Sequence, residues 1–191
     1  MLIRAVCKED MSAIVSLHRS AYVDTREHLT ALLPAHLLRQ YYSELVRSNP
    51  YSYIAFDDSG TPIGFVVGGL KTQLSVHNFI LNHRVELALI LLLHPRIMIV
   101  KIRHILRSRG WASTVPARLL SIAVESREQH KGAGRMLLLH FEQRLREHGI
   151  LQYGLSVKVN NHQAIRFYEN NSFQIERETS NGKYYVKRLI N

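Results

Sequence analysis

The chain has 191 residues, 46% hydrophobic and 21% charged, which suits one globular domain, residues 1–191, and excludes disorder, low-complexity tracts and solenoid repeats. Its single cysteine, Cys7, excludes an intramolecular disulfide, and charge enters Met1-Leu2-Ile3-Arg4 too early for a signal-peptide core, so a cytoplasmic location is expected. A formal charge of +10 favours acidic partners, but no recognisable nucleic-acid-binding motif accompanies it, so nucleic acid is not an expected partner.

Ile3 to Val6 reads as a first strand with Cys7 as a half-buried residue beside it. Met11, Ile14, Val15, His18 and Tyr22 then recur at helical spacing behind Glu9 and Asp10. A polar stretch, Val23 to Leu33, leads to a second helix over Pro34 to Arg47. Tyr51 to Phe56 and Ile63 to Gly68, joined by Asp57-Asp58-Ser59-Gly60, form a hairpin signature. Near the C-terminus, Phe173 to Thr179 and Tyr184 to Leu189 flank Ser180-Asn181-Gly182-Lys183, whose Asn-Gly predicts a tight hairpin turn.

Between these hairpins lies the most distinctive segment. An apolar run, Leu119 to Val124, is followed by Gln129-His130-Lys131-Gly132-Ala133-Gly134-Arg135 and a helical pattern, Met136 to His148. Strand, glycine loop and helix in that order bring unpaired backbone N–H groups to a helix N-terminus, which suits an anion. No Gly-Lys-Ser/Thr follows, and Leu137 stands where a Rossmann loop would have its third glycine, so neither a Walker loop nor a dinucleotide fingerprint is present. The helix carries Glu142 and Arg146 at a supporting i,i+4 spacing and stops at Gly149. Leu155 to Val159 reads as a further strand, and Asn161 to Asn170 as a helix with an Asn cap and a Phe167-Tyr168 ending.

The Q-x-x-G-x-G loop after a strand, with the second block of strand, Asn and Phe-Tyr helix, resembles the GNAT superfamily of acetyl-CoA-dependent N-acetyltransferases. The likeness is close from Arg118 to Asn191 and looser from Met1 to Leu70. It implies an α/β fold with a mixed, centrally splayed β-sheet flanked by helices, and acetyl-CoA as cosubstrate. It also implies that the backbone of Ile122, Ala123 and Val124 pairs with the pantetheine arm. The loop Gln129, His130, Lys131, Gly132, Ala133, Gly134 and Arg135 holds the pyrophosphate, Asn161 lies against the cofactor, and Tyr168 is the general acid. Tyr22, Asp24, His28 and Thr30 fall where such enzymes build one wall of the acceptor site. Relatives with a Glu base on the fourth or fifth strand have here Arg118 and Ser156, so Glu125, His77 or a water relay is left for that task. A metal is not expected: His77, His83, His94 and His104 match no ligand spacing.

Residues 71–117 form an insert outside the resemblance. From Leu87 to Val124 there is no Asp or Glu, whereas Arg96, Lys101, Arg103, Arg107, Arg109 and Arg118 are basic. Two apolar runs, Val85 to Leu93 and Ile97 to Val100, are broken at His94-Pro95-Arg96, short of the roughly 20 residues of a spanning helix, so two helices hinged at Pro95 are expected. Packing on the sheet, a homodimer contact, a wall for a phosphorylated acceptor and a peripheral contact with an anionic membrane, at its inner surface, all suit such a segment. The expected activity is N-acetylation of a small-molecule primary amine, foremost an amino sugar or nucleotide-linked amino sugar. A protein N-terminus or lysine is the alternative acceptor, and a non-catalytic acyl-CoA-binding module the alternative role.

Overall fold

The computed structural model describes residues 1–22, 29–70, 72–95, 99, 113, 115 and 117–189. Seven strands form one sheet in the order β1-β2-β3-β4-β5-β7-β6: β1 Leu2–Ala5, β2 Tyr51–Phe56, β3 Pro62–Gly69, β4 Ala117–Val124, β5 Gln152–Lys158, β6 Gln174–Glu178 and β7 Gly182–Arg188. All neighbours pair antiparallel except β4 and β5. The helices are α1 Met11–Ala21, α2 Leu29–Leu32, α3 Ala35–Ser48, α4 Thr72–Asn82, α5 Arg84–Leu93, α6 Ala133–Glu147 and α7 His162–Asn170.

Period-two alternation in the strands gives the sheet two apolar faces. One face meets α6 and α7 through Leu137, Phe141, Ile165 and Tyr168, packed on Tyr53, Val66, Leu155 and Tyr185. The other meets α1, α3, α4 and α5 through Ile14, Leu37, Leu45, Phe79 and Leu87, packed on Ile54, Phe65 and Ala123. Each such side chain removed from water contributes about 1.5–3 kcal/mol, so both layers are needed to hold the central strands in place.

Glu142 departs from the sequence expectation. In place of a surface pair with Arg146, it is 1% exposed and accepts hydrogen bonds from Tyr153 Oη at 2.5 Å and Lys187 Nζ at 2.7 Å, with Arg146 only at 3.8 Å. The carboxylate joins α6 to β5 and β7 from inside the core, and burial with this neighbour holds the Tyr153 phenol well above its usual pKa.

Three local readings are corrected. Strand β1 ends at Ala5, so Cys7 is exposed; its N–H donates to Asp10 Oδ2 at 2.8 Å, while Arg4 grips Asp10 through both guanidinium nitrogens at 2.7 and 2.8 Å. The final hairpin closes around Ser180-Asn181, with Thr179 N–H on the Gly182 carbonyl at 2.9 Å. Gly182 opens β7 and no left-handed residue is used there, because the Thr179 hydroxyl accepts from Gly182 N–H at 3.1 Å and closes the turn itself. In the insert the chain bends at His83, by 82° between α4 and α5, ahead of the expected break at Pro95. The expected helix over Ile97 to Val100 lies outside the described residues except for Ile99.

Replacing Glu142 by Ala strands the Lys187 ammonium in a nearly dry site, and loss of one member of a buried ion pair costs about 3–5 kcal/mol. Urea denaturation of Glu142→Ala is expected to show a loss in that range. Lys187→Met is expected to lose less, with a coupling energy in the double-mutant cycle showing that the two act together.

Candidate functional site

Strands β4 and β5 pair only at Ala117 with Tyr153 and Arg118 with Gly154. Beyond that point they diverge, leaving the backbone from Leu119 to Val124 unpaired on its β5 side. On its other side β4 stays bonded to β3, and Glu125 N–H still donates to Ile63 at 2.8 Å. Backbone groups alternate along a strand, so the carbonyls of Ile122 and Val124 both point into the opening. Register between β3 and β4 slips at Val67/Gly68, with Leu120 as the extra residue of a bulge, a feature that bends a strand and re-aims its groups.

Unpaired buried carbonyls are costly, and two side chains from outside the sheet meet these. Tyr22 Oη donates to the Ile122 carbonyl at 3.3 Å, and Gln129 Nε2 donates to the Val124 carbonyl at 3.1 Å. Gln163 Nε2 in turn donates to Gln129 Oε1 at 2.9 Å, tying the loop to α7. Of the expected contact strand, Ile122 and Val124 lie on the α6 face, whereas Ala123 is buried in the opposite layer and can offer only its backbone.

The loop turns by two left-handed residues, His130 with φ 63° and Gly132 with φ 91°. Gly132 is the N-cap of α6, and the first bond of that helix is from Met136 N–H to the Gly132 carbonyl at 3.0 Å. The N–H groups of Ala133, Gly134 and Arg135 therefore have no carbonyl in the preceding turn to receive them, and they carry the positive end of the helix dipole. Arg135 and His130 are exposed beside them; Lys131 is exposed but leans to Glu128 at 2.9 Å. Asn161 is the N-cap of α7, its Oδ1 accepting from Ala164 N–H at 3.0 Å.

Tyr168 packs on the rings of Phe173 and Phe167 and is 7% exposed. Among the described residues nothing hydrogen-bonds its hydroxyl, and burial, with the Tyr22 phenol near enough to act on it electrostatically, drives its pKa far upward. The phenol thus stays protonated. Tyr22 is itself the end of a buried chain that sequence periodicity showed only as helix positions: His18 Nδ1 lies 2.7 Å from Tyr42 Oη, which is 3.2 Å from Ser121 Oγ, which is 3.4 Å from Tyr22 Oη. The two phenols, Tyr168 of α7 on one face and Tyr22 just after α1 on the other, lie near enough to act on each other electrostatically.

The base candidates separate. Glu125 accepts from Ser20 Oγ at 3.0 Å at the end of β4, beside the opening; His77 is on the exposed side of α4. Arg118 is buried beside Gly154, with its pKa lowered by desolvation and partly restored by Glu176; Ser156 is exposed on β5. Glu176, which no local pattern singles out, accepts from Ser113 Oγ at 2.8 Å. Asp24 and His28 lie outside the described residues, and Thr30 sits in α2.

A model of the acetyltransferase (GNAT) family matches residues 11–173. Among solved structures, that of SsHAT superposes with a TM-score of 0.73 at 19% identity, covering 100% of this chain and 98% of that one. The PaiA N-acetyltransferase of Thermoplasma acidophilum, in complex with coenzyme A, gives 0.63 at 21% identity over 98% of each chain. The ribosomal-protein-S18-alanine N-acetyltransferase of Escherichia coli gives 0.59 at 15%, over 98% of this chain and 93% of that one. No curated protein matches the sequence.

The two loop glycines differ in what they tolerate. A Cβ at Gly132 would meet nothing within 4 Å, so the penalty there is its φ of +91°, about 1–2 kcal/mol for an L-residue. A Cβ at Gly134 would make ordinary contacts at 3.6 Å with Phe167 and Val124, so Ala fits and the branches of Val do not. Isothermal titration with acetyl-CoA is expected to find Gly134→Ala near wild type and Gly134→Val at least about tenfold weaker, with unchanged circular dichroism. Equal affinities would place the anion elsewhere.

Proposed function

This chain belongs to the acetyltransferase (GNAT) family, and we propose that it transfers the acetyl group of acetyl-CoA to a primary amine by direct attack, without a covalent enzyme intermediate. The observation that carries the reading is the early end of β4–β5 pairing, which opens a slot with two inward carbonyls at one wall and a helix N-terminus at its end. The thioester supplies the activated acyl group; this chain's residues bind it, orient it and move the protons.

The backbone of Ile122 and Val124 is suited to an extended amide-bearing arm, with Ala123 between them keeping the strand buried. Such an arm would take over the bonds that Tyr22 and Gln129 now make. The amides of Ala133, Gly134 and Arg135, with His130, Lys131 and Arg135 around them, are suited to a pyrophosphate. Gly132 supplies the left-handed turn that aims them, and Asn161 fixes the start of α7.

Tyr168 is the proton donor in this reading. Burial keeps its phenol protonated, and the same dry surroundings raise the basicity of a thiolate leaving beside it. A neutral amine needs only weak help, for which Glu125, held by Ser20, is the nearest carboxylate to the end of β4.

For the acceptor we favour an amine that carries phosphate, with a nucleotide-linked amino sugar foremost. The net charge of +10 and the acid-free run from Leu87 to Val124 support it, as does exposed Ser156 in place of an acid on β5. The reading that competes is a peptide N-terminus, which the similarity in fold to the S18-alanine enzyme favours. Thiol release from acetyl-CoA, assayed with nucleotide-linked amino sugars and with short peptides in parallel, decides between them. Turnover of peptides alone would overturn the preferred acceptor.

Two outcomes test Tyr168. Tyr168→Phe is expected to lower kcat about a hundredfold or more while acetyl-CoA affinity changes little; an unchanged rate would remove Tyr168 from the reaction. Because the folded pKa of this phenol is raised far above 10, kcat/KM should rise with pH as the amine deprotonates and show no falling limb from Tyr168 up to pH about 10. A falling limb lost in Tyr168→Phe would contradict the assignment of a raised pKa.

A further inference from the structure

The insert carries a feature that the acetyl-transfer reading does not use. Helices α4 and α5 are each seated on one side only. In α4, Thr72, Ser75 and Phe79 face inward, Phe79 packing edge-on against Tyr41 of α3 at 5.3 Å; in α5 only Leu87 is buried. On the outer side, Leu74 is 57%, Leu81 51%, Val85 66%, Leu89 57%, Leu92 70% and Leu93 77% exposed. In α5 these fall at i, i+4, i+7 and i+8, one continuous stripe on a helix whose sequence is Arg-Val-Glu-Leu-Ala-Leu-Ile-Leu-Leu-Leu. A bare apolar surface of this kind marks a contact site.

Charge selects the occupant. The one acid on the two helices, Glu86, is engaged by His36 Nε2 at 3.3 Å and His83 Nδ1 at 3.6 Å. From Leu87 onward the sequence has no Asp or Glu as far as Val124 but carries Arg96, Lys101, Arg103, Arg107 and Arg109 directly after the helix. A second copy would bring together two chains that each carry a formal charge of +10. An anionic lipid surface takes up both properties, the leucines of α4 and α5 entering the acyl boundary while the positive charge of the chain draws it to the headgroups. Packing sets the mode: among the described residues no single helix is long and apolar enough to cross a membrane, and α4 and α5, which would suffice in length only together, meet at 82° and bury Thr72, Ser75, Phe79 and Leu87 against the domain. The 10 residues of α5 reach about 15 Å, half of a bilayer's hydrocarbon core.

We infer that the outer face of α4 and α5 docks the enzyme on an anionic membrane surface, lying in the interface without spanning it. This goes beyond the acetyl-transfer reading and does not depend on it, because docking is measured on the resting protein. The probe is co-sedimentation of the full chain with vesicles of phosphatidylglycerol and phosphatidylcholine in equal parts, against phosphatidylcholine alone. Binding at least about tenfold tighter to the anionic vesicles is expected, weakened by 0.5 M salt and by Arg103→Gln/Arg107→Gln. Leu89→Glu/Leu92→Glu should abolish it while leaving acetyl-CoA affinity, the control for folding, unchanged. Should that pair disturb cofactor binding, Leu93→Glu at the most exposed position carries the comparison. Equal binding to both vesicles, anionic binding that survives the leucine variants, or no vesicle binding together with a concentration-dependent dimer that those variants dissolve would each overturn the proposal.

Discussion

Everything at the site depends on the shortness of one parallel pairing. Strands β4 and β5 share two residue pairs and then part, so the middle of a seven-stranded sheet contains a row of backbone groups without a strand to receive them. Such groups cannot stay empty without cost, and the fold meets them with the Tyr22 hydroxyl and the Gln129 amide. An edge is normally a liability for a sheet; here it is placed inside and lined by side-chain donors that a ligand could replace.

The two layers keep that slot open in different ways. On one face, α6 is anchored by Phe141 and Leu145 and by the Glu142 carboxylate, which reaches Tyr153 of β5 and Lys187 of β7. That tether crosses beneath the divergence and holds the helix whose N-terminus faces the loop. On the other face the chain His18, Tyr42, Ser121 and Tyr22 fixes the last turn of α1 against the bulged segment of β4. Packing supplies the bulk of the stability and these polar links supply the aim. Tyr168 and Tyr22 come from opposite layers, and each phenol is kept neutral by burial.

Much of this was readable in residue order. The hairpin at Asp57 to Gly60, the helix starts at Met11 and Asn161, and the loop between β4 and α6 all announce themselves by local chemistry: a turn-forming glycine, acids or an Asn at a cap, and apolar residues at a period of 2 or 3.6. The reading failed where partners are distant in sequence. Helix α4 buries Thr72, Ser75 and Phe79, a helical period written partly in hydroxyl residues and invisible to an apolar count. Glu142 has a correct i,i+4 neighbour in Arg146, yet Tyr153 and Lys187 compete for it and win because the site is dry. Asn181-Gly182 is a strong hairpin signal that the Thr179 hydroxyl made unnecessary.

By itself the sequence determined the elements, the family resemblance and the glycine loop ahead of α6, because capping, periodicity and glycine conformation act over a few neighbouring residues. Only the tertiary structure decided where β4 and β5 part, which carbonyls face the gap, that Tyr22 and Gln129 meet them, and that one side of α5 is left bare. Those features are set by packing between segments tens of residues apart. No local pattern encodes the distance at which two strands stop pairing.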